Sequence, residues 1–152
     1  MSIIWQYLDK RGAAIKALKD YNSMRYIISH TSEEIAGAKE RKSGIRTSNL
    51  DGMPKSRNPA AAENRIVDAI EEIDVLKERY RRAVEYMDWF CPAWEELSED
   101  ERFVLETSYQ NDGGDQSGAV YSICEHFGIE RSSAYNRKNR ALDHLTILLY
   151  GK

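Results

Sequence analysis

Cysteine is nearly absent from this chain: Cys91 and Cys124 are the only two in 152 residues. Far apart in the sequence, they make neither a disulfide framework nor a paired-thiol metal motif, and a reducing, cytoplasmic setting is expected. Proline occurs only as Pro54, Pro59 and Pro92, which leaves room for long uninterrupted helices. There is no run of about 18 apolar residues, so no membrane span and no membrane partner are expected. The opening MSIIWQYLDKRG lacks the apolar stretch and small-residue cleavage site of a signal peptide. No phosphate-cradling glycine loop is present, and His30, His126 and His144 have no nucleophile pattern beside them. No catalytic residue is assigned on this basis, and an enzyme is not expected.

Metal chemistry is equally thin. Cys124 and His126 fall on different faces of a helix, and neither has ligand spacing to Cys91 or His144. Asp112 and Asp115 sit in a glycine-containing loop but lack the carboxylate series and terminal Glu of a calcium loop. The expectation is a solvated turn, no metal and no cofactor.

What the chain does have is charge in helical patterns: 31% charged residues against 41% apolar, with a net charge of −3. Over residues 60–91 the apolar positions Ile66, Ala69, Ile73, Leu76, Tyr80, Ala83, Met87 and Phe90 advance by alternating threes and fours. Ile70 and Val84 widen this heptad seam. Pro59 suits its first turn and Pro92 should end it. A leaner seam precedes it in Ala17, Tyr21, Met24, Ile28, Thr31, Ile35 and Ala38, flanked by Ile15 and Leu18. Gly12 is expected to kink or break the pattern before that seam, with Ile3, Ile4, Trp5, Tyr7 and Leu8 as a separate helical turn. Residues 43–59, SGIRTSNLDGMPKSRNP, read as a long loop.

Two such helices predict an antiparallel, coiled-coil-like hairpin over residues 1–92, with a second module over 93–152. A lone hairpin buries one stripe per helix, so a homodimer through the hairpin is expected. The alternative is a monomer with the C-terminal module packed along it. Trp5, Trp89 and Trp94 read either as a stacking platform for single strands or, the reading adopted, with Trp89 and Trp94 packing the joint beside Met87 and Phe90.

The second module opens on Ser98-Glu99-Asp100-Glu101, a capping box in which Glu101 reaches back to the Ser98 backbone. Its helix runs through Phe103, Val104, Leu105 and Tyr109 and stops before NDGGDQSG (111–118), a connector that reads as a flexible wing or an insertion. Val120, Ile123, Cys124 and Phe127 line the next helix, and Gly128 suits the left-handed position of a tight turn. Ile129 then plugs the core, and Ser132 or Ser133 caps the last helix. Ala134, Ala141, Leu142, Leu145, Leu148 and Leu149 hold that helix to the module, leaving Arg131, Ser133, Tyr135, Asn136, Lys138 and Asn139 pointing outwards. Every Lys or Arg between residues 103 and 151 lies within 131–140, with no acid between Glu130 and Asp143. A helix-turn-helix places such a block against phosphates and base edges in the major groove. Residues 96–152 still hold six Lys/Arg against ten Asp/Glu. Binding should therefore run through one local patch rather than polyanion coating.

LSEDERFVLETSY followed by AVYSICEHFGIERSSAYNRKNRALDHL resembles region 4 of bacterial RNA-polymerase sigma factors, anchored at Leu97, Glu101, Arg102, Val104, Gly128, Ile129, Arg131, Ala141, Leu142 and Leu145. With a charged hairpin first, Gly52-Met53-Pro54 in the loop and a terminal Leu149-Tyr150-Gly151, the chain is similar to phage sigma-region-4-like regulators of the RinA/ArpU type. The resemblance implies a protein that binds double-stranded DNA in a sequence-specific way and controls phage or prophage genes. The helical patterns themselves make the expected fold all-α, and RNA polymerase is a further candidate partner. By position the resemblance implies contacts from Arg131, Ser132, Tyr135 and Asn136. Ser133, Arg137, Lys138, Asn139 and Arg140 complete the candidate DNA-binding set. Ser132 stands where sigma factors usually carry an acid, so their promoter specificity is not carried over. The rival expectation is a protein-interaction or small-terminase-like DNA-packaging factor built on the hairpin.

Overall fold

In a computed structural model, which describes residues 3–48, 59–111 and 116–151, the protein is all-helical, with no strand among the described residues. A 3-10 turn at Ile3–Tyr7 precedes α1 (Lys10–Ser48) and α2 (Pro59–Glu96). Then come α3 (Glu99–Leu105), a π-helical turn (Glu106–Gln110), α4 (Gln116–Phe127) and α5 (Arg131–Tyr150). None of the described helices is long and apolar enough to cross a membrane. Packing groups Met1–Ser23 with Tyr86–Lys152 in one compact unit and leaves Met24–Glu85 as the other. The sequence division at Pro92 falls inside the first of these.

Several local expectations are corrected. Gly12 does not break α1: its N–H donates to the Asp9 carboxylate at 2.9 Å, and Ala13 N–H reaches the Asp9 carbonyl at 3.0 Å. Asp9 therefore caps the helix, and a Cβ on Gly12 would collide with the capping carboxylate. Of residues 43–59, assigned to a loop, 43–48 belong to α1 and Pro59 begins α2. Residues 49–58, including Gly52, Met53 and Pro54, lie outside the described residues.

Pro92 does not end α2, which continues through it to Glu96. The proline forfeits one helical hydrogen bond, a cost of about 3 kcal/mol in a helix interior. Tertiary burial offsets that cost. Ala93 and Leu97 are buried beyond the proline, and Trp94 stacks with Phe90 at 5.7 Å and with Tyr21 at 6.2 Å.

In the unit of residues 24–85, α1 and α2 pair in opposite directions: Arg41 meets Glu72 at 2.7 Å and Glu34 meets Arg79 at 3.1 Å. Thr31, Ala38, Ala69, Ile73, Leu76 and Ala83 are buried there, so much of both seams faces inward. Tyr80, assigned to the seam, stays exposed. Small residues at 31, 38, 69 and 83 suit close helix approach but bury little apolar area each.

The other unit has the larger side chains. Leu18 of α1, Phe90 and Leu97 of α2, Val104 and Leu105 of α3, Val120 and Ile123 of α4, and Leu142 and Leu145 of α5 form one cluster. Tyr86 donates its hydroxyl to the Ala17 carbonyl, and Asn22 donates its amide to the Gln110 carbonyl at 2.7 Å. Trp89 meets Tyr150 edge to face at 5.5 Å, joining α2 to the end of α5. The Trp5 side chain lies outside the described residues.

Candidate nucleic-acid interface

The turn between α4 and α5 follows from one glycine. Gly128 takes φ +63°, a conformation that L side chains rarely adopt, and Ile129 N–H closes the turn on the Cys124 carbonyl at 3.2 Å. Ile129 is half-buried against the core. The expected cap at Ser132 or Ser133 is not what forms. α5 starts at Arg131, Glu130 is the capping residue, and no side chain caps the helix. A shift of two or three residues therefore moves both serines into the exposed first turn, beside N–H groups that have no side-chain acceptor.

Along α5 the buried row is Ala134, Lys138, Ala141, Leu142 and Leu145. Arg131, Ser132, Ser133, Tyr135, Asn136, Arg137, Asn139 and Arg140 are exposed. Eight of the nine candidate contact residues thus share an accessible surface. The ninth, Lys138, is a correction, since it is only 9% exposed and does not point outwards. Its position falls in phase with Ala134, Ala141 and Leu145, so its stem takes a core place. The ammonium donates to Oε1 of Gln116 at 2.5 Å and lies over the rings of Tyr109 (5.3 Å) and Tyr135 (5.8 Å). Desolvation pushes its pKa down, with Tyr135 opposing and Arg11 adding to the shift.

The exposed residues are partly oriented by neighbours. Arg137 lays its guanidinium over Phe127 at 4.4 Å, and Arg131 lies 5.9 Å from the Tyr135 ring centroid. Asn139 accepts from Nη2 of Arg11 at 2.7 Å, while Nη1 of Arg11 lies 3.6 Å from Asp143. Arg137 and Arg140 also line a cleft of about 340 Å³ with Ser98, Asp100 and Glu101, so that flank carries both signs of charge.

Half of the expected capping box forms: Ser98 Oγ accepts from Glu101 N–H at 3.2 Å. The Glu101 carboxylate meets Nδ1 of His144 instead, at 2.8 Å. His126 stacks on Phe103 at 3.9 Å. Of the 111–118 connector, Gln116–Gly118 belong to α4, and residues 112–115 lie outside the described residues. Among the described residues no cluster of three or more His, Cys, Asp or Glu could hold a metal ion.

Sequence reasoning missed the Arg11–Asn139 bond, which spans 128 positions and leaves no local signal. The phase of Lys138 matches the buried row, but its partners Gln116 and Tyr109 come from other elements. Comparison with family models, curated proteins and solved structures finds no match for the chain.

Proposed function

We propose that this chain is a sequence-specific, duplex-DNA-binding transcriptional regulator of phage or prophage origin, and not an enzyme. In this reading α4, Gly128 and α5 are a sigma-region-4-like helix-turn-helix, and α5 is its recognition helix. The observation that carries it is the division of α5: a buried row fixes the helix while eight polar or aromatic side chains at its front remain accessible. Arg131 suits phosphate or guanine, Asn136 suits the paired donor and acceptor of adenine, and Tyr135 suits phosphate or a thymine methyl. Ser132, Ser133, Arg137 and Arg140 are phosphate contacts. The first turn of α5, without a side-chain cap, adds N–H groups and a positive dipole end. Lys138 is a positioning residue behind Tyr135.

The paired helices of residues 24–85 are the hairpin of this reading, and a second copy of the chain is its partner. Val67, Ile70, Val75 and Tyr80 are exposed there. The test is a genomic-fragment pull-down at physiological salt beside an Arg131→Ala/Tyr135→Ala variant. Enrichment of one or a few sites by the wild type alone supports the reading. Equal recovery by the folded variant overturns it.

One observation favours the interaction reading for the same unit. Lys39, Lys42 and Lys77 line a cleft of about 420 Å³ together with Ile70 and Ile73, with Asp74 the one acid in its lining among the described residues. Such a cleft suits an acidic segment of another protein, RNA polymerase included, carrying one apolar side chain.

A further inference from the structure

The candidate recognition helix belongs to a segment that is net negative, with six Lys/Arg against ten Asp/Glu over residues 96–152. Its own cations are also fewer than they look, because Lys138 is buried and committed to Gln116. The same packing unit, however, brings the start of α1 to the side of α5. That start, KRGAAIKALK over residues 10–19, contains Lys10, Arg11, Lys16 and Lys19 and no acid.

The placement of this segment is fixed at both ends. Ala14, Ala17 and Leu18 are buried in the core of the unit. Arg11 binds Asn139 and faces Asp143, both on the exposed side of α5. At 100° per residue, Lys19 and Lys16 follow Arg11 round the helix within an arc of about 140°. Asn22, Ile15, Gly12 and Ser23 share that arc, and Asp9 and Asp20 fall outside it. Lys16 and Lys19 are exposed, and neither is held in an ion pair among the described residues. Asp143, which Arg11 faces, is the one acid within α5.

We propose that the first turns of α1 form the second half of the nucleic-acid contact. Lys16 and Lys19 take phosphates of the duplex flanking the groove that α5 enters, and Arg11 holds their helix to α5. Asn139, held by Arg11, aligns the two halves instead of reading a base. The occupant is the DNA backbone, because these cations adjoin α5 through Arg11 and stand on α1, outside the helix that enters the groove. This inference rests on the DNA-binding reading above. It makes the interface composite, so the salt dependence of binding by the full chain exceeds what the cations of α5 alone would give.

The test uses the full chain and a random-sequence duplex, with affinity measured across a salt series. Lys16→Gln/Lys19→Gln is expected to lower the slope of log affinity against log salt by about 1.8, at about 0.9 for each phosphate left without its cation. Specific and random duplexes should be weakened alike. Arg65→Gln/Arg82→Gln, in the unit of residues 24–85, makes the same change in net charge and is expected to leave the slope unchanged. An equal slope change in both variants would mean that net charge acts rather than a contact, and would overturn the proposal. If Arg131→Ala weakens binding but Lys16→Gln/Lys19→Gln changes nothing, the composite interface falls while the DNA-binding reading stands. If the wild type binds no duplex at all, both fall.

Discussion

Nδ1 of His144 lies 2.8 Å from Oε2 of Glu101, fastening the middle of α5 to the first turn of α3. Both side chains are partly exposed, so the pair contributes modestly. His144→Ala is expected to destabilise the fold by about 0.5–1 kcal/mol. In a thermal melt the loss should match that of Glu101→Ala, and the double variant should be less destabilised than the sum of the two. Full additivity would show that the pair contributes nothing.

Lys138 gives a prediction of opposite sign. Its ammonium is desolvated, and desolvation lowers its pKa, so the charged form is disfavoured in the folded state. Lys138→Met keeps the stem volume in the row of Ala134, Ala141 and Leu145 and removes the buried charge. The expected outcome is an unchanged or raised melting temperature. The salt slope of duplex binding should stay within error of the wild type, because a buried lysine does not reach a phosphate. A fall of about 0.9 in that slope would put Lys138 on the DNA.

How much of this was legible in the sequence depends on the range of the interaction. Gly128, Ile129 and the row Ala134, Ala141, Leu142 and Leu145 were legible because turn chemistry and helical phase are local. Lys138 has the same phase as that row, yet a charged residue is read as exposed unless its partners are known. Those partners, Gln116 and Tyr109, come from other elements. Pro92 misleads because its local cost is certain, whereas the burial of Ala93 and Leu97 that offsets it is tertiary. The α5 cap shifted from Ser132 or Ser133 to Glu130, a distinction that serine-rich starts do not encode. Arg11 meeting Asn139 had no sequence signal at all.

Alkaline pH should weaken the fold. Desolvation raises the pKa of Tyr86, Tyr109 and Tyr150 above the ordinary 10.0. Between that value and their folded values, the native state binds more protons than the unfolded state, so stability falls as pH rises. Below pH 10.0 these tyrosines leave stability unchanged. Lys138 acts in reverse, since its lowered folded pKa makes stability rise with pH up to its ordinary 10.5. Above pH 10.5 the lysine no longer contributes, and the tyrosines set the slope. Denaturant melts should therefore show stability declining above about pH 10.5. Tyr86→Phe should flatten this limb while costing about 1 kcal/mol at neutral pH, through loss of the bond to the Ala17 carbonyl. An unchanged alkaline slope in Tyr86→Phe would remove this residue as the cause.

Asn136 and Asn139 sit three residues apart on α5, and both are exposed, but only Asn139 is held by Arg11. If Asn136 reads an adenine edge, Asn136→Ala should weaken binding to the recovered site by about 1–3 kcal/mol. Its affinity for random duplex should hardly change, because every phosphate keeps its partner. Asn139→Ala should weaken both duplexes together, since it loosens Arg11 without touching a base. Fluorescence anisotropy on the two duplexes separates these patterns. A sequence-specific loss in Asn139→Ala, or none in Asn136→Ala, would reassign the base-reading residue and with it the face of α5 that meets the groove.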